Sequence, residues 1–206
     1  MRRVVALTML GVLLGGCDEF AALREHPKQL TVSALTPADA GIAEKVLQSR
    51  FRQHLPHLVS SISSRRDGPR VTFVFGRGSP DDKVLGYLVS TRGRFVTLSS
   101  EGQVWVTGKD VVEVLVSTGS DSDNALLIAF TDAAAKRLAD LSSQKQGQIL
   151  TVLLDGNALA TLRVAGTVSQ RVTVPVRMDP RELLLIATVV SSGELPVGVT
   201  VTGNAP

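Results

Sequence analysis

The sequence predicts an α+β fold built mostly on antiparallel sheet. Three observations carry this: strand-like alternation recurs between stretches with helical spacing, the connections are irregular, and several neighbouring strands read as hairpins. The regular exchange of one strand for one helix that a doubly wound parallel sheet requires is missing. With 206 residues and 44% hydrophobic content, the chain can bury a sizeable core.

The first sixteen residues read as a leader. Arg2 and Arg3 precede an apolar run from Val4 to Leu14, which stops at Leu14-Gly15-Gly16-Cys17. The run is too short for the ~20 apolar residues of a spanning helix. A charged start, an apolar middle and a small-residue end describe a removable signal instead. The glycine pair sits directly against the only cysteine of the chain, the arrangement of a lipobox, with cleavage before Cys17 and acylation of its sulfur. The alternative is a plain signal peptide that ends near a cysteine. Each buried acyl methylene contributes about 0.8 kcal/mol, so several acyl chains (palmitate among them) on Cys17 would hold a protein at a bilayer without a span. Everything from Asp18 onward is then expected outside the cytoplasm.

Residues 17–29 read as a polar tether. Leu30 to Leu35 alternates as a strand, and Thr36-Pro37 supplies an N-cap and a proline at the first helical position. The helix that follows sets Ile42, Val46, Leu47, Phe51 and Leu55 on one stripe until Pro56 ends it. Leu58 to Pro69 reads as a loop. Arg70 to Phe75 is a strand with Val71, Phe73 and Phe75 on one face, and Ser79 is the expected cap of a helix reaching Val89. Strands follow at Arg94 to Leu98, Gln103 to Val106, Val111 to Val116 and Ala125 to Phe130. Thr131-Asp132 caps a third helix, with Ala134, Ala135, Leu138 and Leu141 inward and Lys136, Arg137 and Asp140 outward. Ile149 to Leu154 and Ala158 to Val164 flank Asp155-Gly156, a pair that favours tight hairpin turns. A strand at Arg171 to Val176 precedes a nearly all-apolar helix from Asp179-Pro180 to Ser191, stopped by Gly193. A strand near Pro196 to Val201 closes the chain.

Composition excludes several functions. Without the leader the chain loses Arg2 and Arg3, and the formal net charge falls from +3 to +1. A nucleic-acid surface needs a basic stripe interleaved with stacking aromatics, whereas six Phe, one Tyr and one Trp are scattered along the sequence. The one cysteine goes to lipid, which leaves none for a disulfide, a thiolate nucleophile or a zinc site.

Candidate chemistry is sparse. His54 and His57 bracket a helix-breaking proline with no third ligand nearby, so a surface pair is expected rather than a metal site, and His26 falls in the tether. Asp121, Asp123 and Asn124 carry oxygen ligands but lack the glycine and distal glutamate of an EF-hand, which favours a solvated loop. Gly76-Arg77-Gly78-Ser79 departs from the phosphate-loop pattern, and no Gly-x-Ser-x-Gly elbow is present. Asp155 reads as a turn residue, and Gly193, Leu195 and Pro196 as a helix stop and strand start. Trp105 is either an exposed anchor for a partner or buried against the third helix. No cofactor and no metal are expected.

Several segments are familiar in their order. VTGKDV at Val106 to Val111, FTDAAAKRLADL at Phe130 to Leu141 and ILTVLLDG at Ile149 to Gly156 resemble the large periplasmic domain of the SecD protein-export subunit. SSGELPVGV at Ser191 to Val199 resembles its closing segment, and AEKVLQSRFRQHLP at Ala43 to Pro56 its opening helix. The resemblance covers about residues 30–202. There are departures: Ala133-Ala134 replaces Gly-Ala, Asn157 to Leu162 replaces Ser-Ala-Pro, and Glu194 replaces an alanine. The family continues into transmembrane helices that couple to the proton gradient, and this sequence ends at Pro206, so a domain standing without them is expected.

The resemblance implies a ferredoxin-like base, formed by residues 30–100 and 170–202, and an inserted head of residues 101–169. Together with the lipobox at Cys17, it implies a noncatalytic, lipid-anchored protein that contacts exported polypeptide or translocon components. The alternative is an interaction subunit of another envelope complex. Trp105, Lys136 and Arg137 in the head are the candidate partner contacts. The expected partners are a membrane, through Cys17, and a protein, with no nucleic acid and no small-molecule substrate. In lipoproteins of this kind an aspartate after the lipidated cysteine, here Asp18, implies the periplasmic face of the inner membrane, with the outer membrane as the alternative. Cys17→Ser should abolish palmitate labelling and release the protein from the membrane fraction; a variant that still labels and still sediments would contradict the lipid anchor.

Overall fold

The computed structural model describes residues 28–56, 62–76, 81–119 and 124–204. The leader, Cys17, His26, His57, Ser79, Asp121 and Asp123 lie outside these residues. The described strands form three antiparallel sheets. The first holds β1 (Lys28–Ser33), β2 (Ile62–Asp67), β3 (Arg70–Phe75) and β11 (Thr200–Asn204) in the order β11-β1-β3-β2. With α1 (Pro37–His54) and α2 (Asp82–Ser90) against it and α4 (Pro180–Ser192) packed on both helices, this is the ferredoxin-like base. A four-stranded sheet, β5-β4-β8-β9, comprises β4 (Phe95–Ser99), β5 (Val104–Thr107), β8 (Ile149–Leu154) and β9 (Asn157–Arg163). A three-stranded sheet, β10-β7-β6, comprises β6 (Val111–Ser117), β7 (Ala125–Phe130) and β10 (Arg171–Pro175). These two sheets and α3 (Asp132–Gln144) form the insert.

Strand pairing moves the borders of the insert. β4 bonds to β5 and β8, and β10 bonds to β7, so both belong to the insert and not to the base. The chain therefore crosses out at 91–94 and returns at 176–179. The expected loop at Leu58 to Pro69 instead contains β2, whose Ile62, Ser64 and Arg66 pair with Phe75, Phe73 and Val71. Its polar sequence hid it, because an edge strand with one exposed flank needs little apolar character. The last strand lies at Thr200–Asn204, later than expected, since Gly198 with φ 77 still belongs to the turn before it. Asp81, not Ser79, caps α2, its carboxylate accepting from the Lys83 amide at 2.7 Å.

The base core is aromatic. Phe51 of α1 meets the edges of Phe73 and Phe75 of β3, each with ring centroids 5.2 Å away. The inward stripe of α1 is Ala40, Ala43, Leu47, Arg50 and Phe51, while Ile42 is 50% exposed. Helical spacing from Leu47 puts Arg50 inside, and it is fully buried at 0% exposure. Its Nε donates to Ser192 Oγ (3.1 Å), Nη1 to the Leu88 and Thr91 carbonyls (both 2.6 Å), and Nη2 to the Arg92 and Gly193 carbonyls (3.0 and 3.1 Å). A guanidinium has five N–H groups, and here each has an acceptor. These acceptors cluster at the C-terminal ends of α2 and α4, where the helix dipoles favour a cation. Burial pushes the group down to about 10, opposed by the charges of Asp155 and Tyr87, so it stays protonated at neutral pH.

Arg50→Met keeps the aliphatic stem but takes the guanidinium from five acceptors, of which the Arg92 carbonyl alone keeps another donor, the Leu195 amide, and should cost about 3–5 kcal/mol in urea unfolding. Arg50→Lys, with three donors on a flexible stem, should fall between this variant and the parent. A methionine variant within about 0.5 kcal/mol of the parent, the range of an ordinary surface substitution, would contradict the role given to this junction.

Candidate functional site

Segments distant along the chain, among them the Asp155-Gly156 turn and Ser192 to Leu195, converge around Arg50. The Asp155-Gly156 pair, with φ 52 and 85, makes the tight turn between β8 and β9. The Asp155 carboxylate also reaches the outgoing crossover, accepting from the Gly93 amide (3.1 Å) and the Arg94 amide (2.6 Å). Gly93 has φ 87, and a Cβ there would lie 2.7 Å from Arg50 Nη2 and 3.0 Å from Val189 Cγ1, so glycine alone fits. Ser192 and Gly193 receive Arg50, Glu194 pairs with Arg92 at 2.6 Å, and the Leu195 amide donates to the Arg92 carbonyl at 2.8 Å. The returning crossover is pinned by Asn124, whose Nδ2 donates to the Met178 carbonyl at 2.9 Å. Asn124 is thus buried and structural, not part of a solvated loop.

Beside this junction lies an open groove of about 1010 Å³ between base and insert. Its insert wall is the outer face of the β5-β4-β8-β9 sheet, with Val96, Leu98, Val104 and Leu153. Val46 and Ser90 face it from the base. Val104 is 50% exposed, and Val96, Leu98 and Leu153 are half-buried, so the floor is apolar and open to solvent. The rim carries Arg92, Arg94, Lys109, Asp155 and Glu194. A second, smaller cavity of about 190 Å³ lies inside the insert, lined mainly by apolar side chains such as Phe95, Val106, Ile128, Leu150 and Val174.

The Thr107-Gly108-Lys109-Asp110 turn forms one end of the groove. It is a 3₁₀ turn closed by a capping box, in which Asp110 Oδ2 accepts from the Thr107 amide (2.8 Å) and hydroxyl (3.2 Å). Asp110 also pairs with Arg137 of α3 at 2.9 Å, and Arg137 Nε donates to the Trp105 carbonyl at 3.3 Å. Burial alone would raise the Asp110 carboxyl. The Thr107 amide and the Arg137 guanidinium together outweigh it and hold the group below the ordinary aspartate range.

The expected contact residues separate. Trp105 is 1% exposed and is no surface anchor, because β5 packs under α3 with its indole inward. Arg137 is exposed but committed to Asp110 and the Trp105 carbonyl, whereas Lys136 is exposed on the outer face of α3. His54 is half-buried, and desolvation lowers its pKa. Among the described residues no group of three or more His, Cys, Asp or Glu could hold a metal, and no helix is long and apolar enough to cross a membrane. Sequence reasoning missed Arg50, Arg94, Lys109 and the groove floor. Only Arg50 had a signal, as a charge at the inward position three residues after Leu47.

No family model matches the chain. A curated relative, the protein translocase subunit SecD of Acidaminococcus fermentans, is 30% identical over 105 residues, which are 50% of this chain and 25% of that protein. The match thus spans about a quarter of the relative's length. A solved structure described as a membrane component SecDF that enhances protein export superposes with a TM-score of 0.70 at 18% identity, covering 84% of this chain and 97% of that one. A crystal structure of SecDF in the super-membrane-facing form gives a TM-score of 0.72 at 17% identity, covering 85% of this chain and 29% of that one.

The depressed Asp110 pKa belongs to the folded state, so the folded protein binds fewer protons there than the unfolded chain. The stabilisation is complete above the ordinary aspartate pKa and is lost as pH falls through the folded value. Arg137→Ala should therefore move the acid limb of the stability profile to higher pH in thermal melts between pH 6 and 2; superimposable acid limbs would contradict the pairing. In fold the described residues are similar to solved SecDF structures, and in sequence half of the chain is similar to SecD.

Proposed function

We propose that this protein is a lipid-anchored, noncatalytic periplasmic accessory of protein export, which contacts exported polypeptide or translocon components through the groove between base and insert. The observation that carries the reading is the groove itself: an apolar floor, open to solvent, with a charged rim. At about 1010 Å³ it sits at the top of the range for small-molecule sites, and its openness suits a chain segment better than an enclosed ligand. The likeness to SecD supports an export role, and the leader ending at Cys17 supports placement at the periplasmic face of the inner membrane. Among the described residues Asp155 and Asp110 are both engaged in local structure, and no constellation for nucleophilic or acid–base chemistry argues for catalysis.

Crosslinking in intact cells, followed by purification of the full chain, should recover translocon components and exported proteins in transit. Consistent recovery of one unrelated envelope complex, without either, would replace this reading with that of a structural subunit.

A further inference from the structure

The charges at the groove rim do not balance once their internal partners are assigned. Glu194 is neutralised by Arg92 at 2.6 Å. The Asp155 carboxylate is taken by the Gly93 and Arg94 amides and faces the field of the buried Arg50. Both acids are therefore spent on the fold. Arg94 and Lys109 are exposed, and among the described residues neither side chain has a hydrogen bond or ion pair. Both line the same groove as Val96, Leu98, Val104 and Leu153. The result is an apolar floor beside two uncompensated cations.

We infer that the groove selects polypeptide segments in which apolar side chains are flanked by aspartate or glutamate. This rests on the polypeptide-contact reading and adds a preference to it. The apolar side chains cover the exposed valine and leucine surface, and the flanking carboxylates meet Arg94 and Lys109. A segment flanked by lysine would place like charges against the same cations. An exposed ion pair of this kind changes affinity roughly two- to fivefold, so two together give roughly tenfold, and salt screens the effect.

Two fluorescent peptides with the same apolar centre, one flanked by glutamates and one by lysines, test this by anisotropy against the full-length chain in detergent. The glutamate peptide should bind roughly tenfold tighter at low salt, and the preference should shrink toward unity in 0.5 M salt. In the Arg94→Glu, Lys109→Glu variant it should reverse, while Val104→Gln should weaken both peptides alike. Circular dichroism checks that the variants are folded, which is expected because both cations are exposed. Equal binding of the two peptides, or a glutamate preference that survives the charge reversal, would overturn the inference and leave the polypeptide reading standing. Binding of neither peptide would overturn both.

Discussion

The buried guanidinium of Arg50 is the constraint on which the arrangement of this molecule depends. A fully desolvated cation is tolerated only when its hydrogen-bonding capacity is filled. Here the acceptors come from the ends of two helices and from the segment that leads out to the insert. Satisfying one side chain therefore fixes where α2 stops, where α4 stops and how the chain leaves the base. The glycine at 93 and the tight approach of Val189 follow from the same demand, since the guanidinium fills the space that a side chain would need.

The groove is a by-product of that junction. Asp155 ties the β8–β9 turn to the outgoing crossover, and Asn124 ties the returning one, while the outer face of the insert sheet is left lining an open groove beside Val46 of α1. The apolar residues left on that face are too few to form a core and too many for an ordinary solvated sheet. The acids nearest to them are consumed by the junction, which gives the open surface its positive character. Fold, hydrophobic exposure and charge thus have one origin.

Much of this architecture was legible in the chain, and the reasons are local. Thr36-Pro37, Thr131-Asp132 and Asp179-Pro180 each start a helix where their capping chemistry predicts, with the Thr36, Thr131 and Asp179 side chains accepting from the Asp39, Ala134 and Arg181 amides. Arg70–Phe75, Ala125–Phe130 and Ile149–Leu154 are strands at the expected residues, because their alternation or apolar run leaves no competing period. The α+β class and the ferredoxin-like base with an inserted head, the latter implied by resemblance, hold in the structure. Long-range pairing was not legible. β2 lacks apolar pattern, β4 and β10 look like neighbours of the base until their hydrogen bonds are seen, and the strand alternation left Trp105 open between exposure and the burial under α3 that the structure shows. The site was hidden for the same reason: Arg94 and Lys109 become a pair of free cations only after the fold has spent Asp155 and Glu194 elsewhere.

The central claim is that Arg50 sets the spacing of the groove walls. It is tested most directly by the distance between spin labels introduced at Lys45 on α1 and at Lys109 on the insert, in a chain freed of its native cysteine by Cys17→Ser. The account predicts a single narrow distance distribution in the parent and a broad one, in a still folded protein, when Arg50 is replaced by methionine. An equally narrow, unshifted distribution in the variant would contradict it.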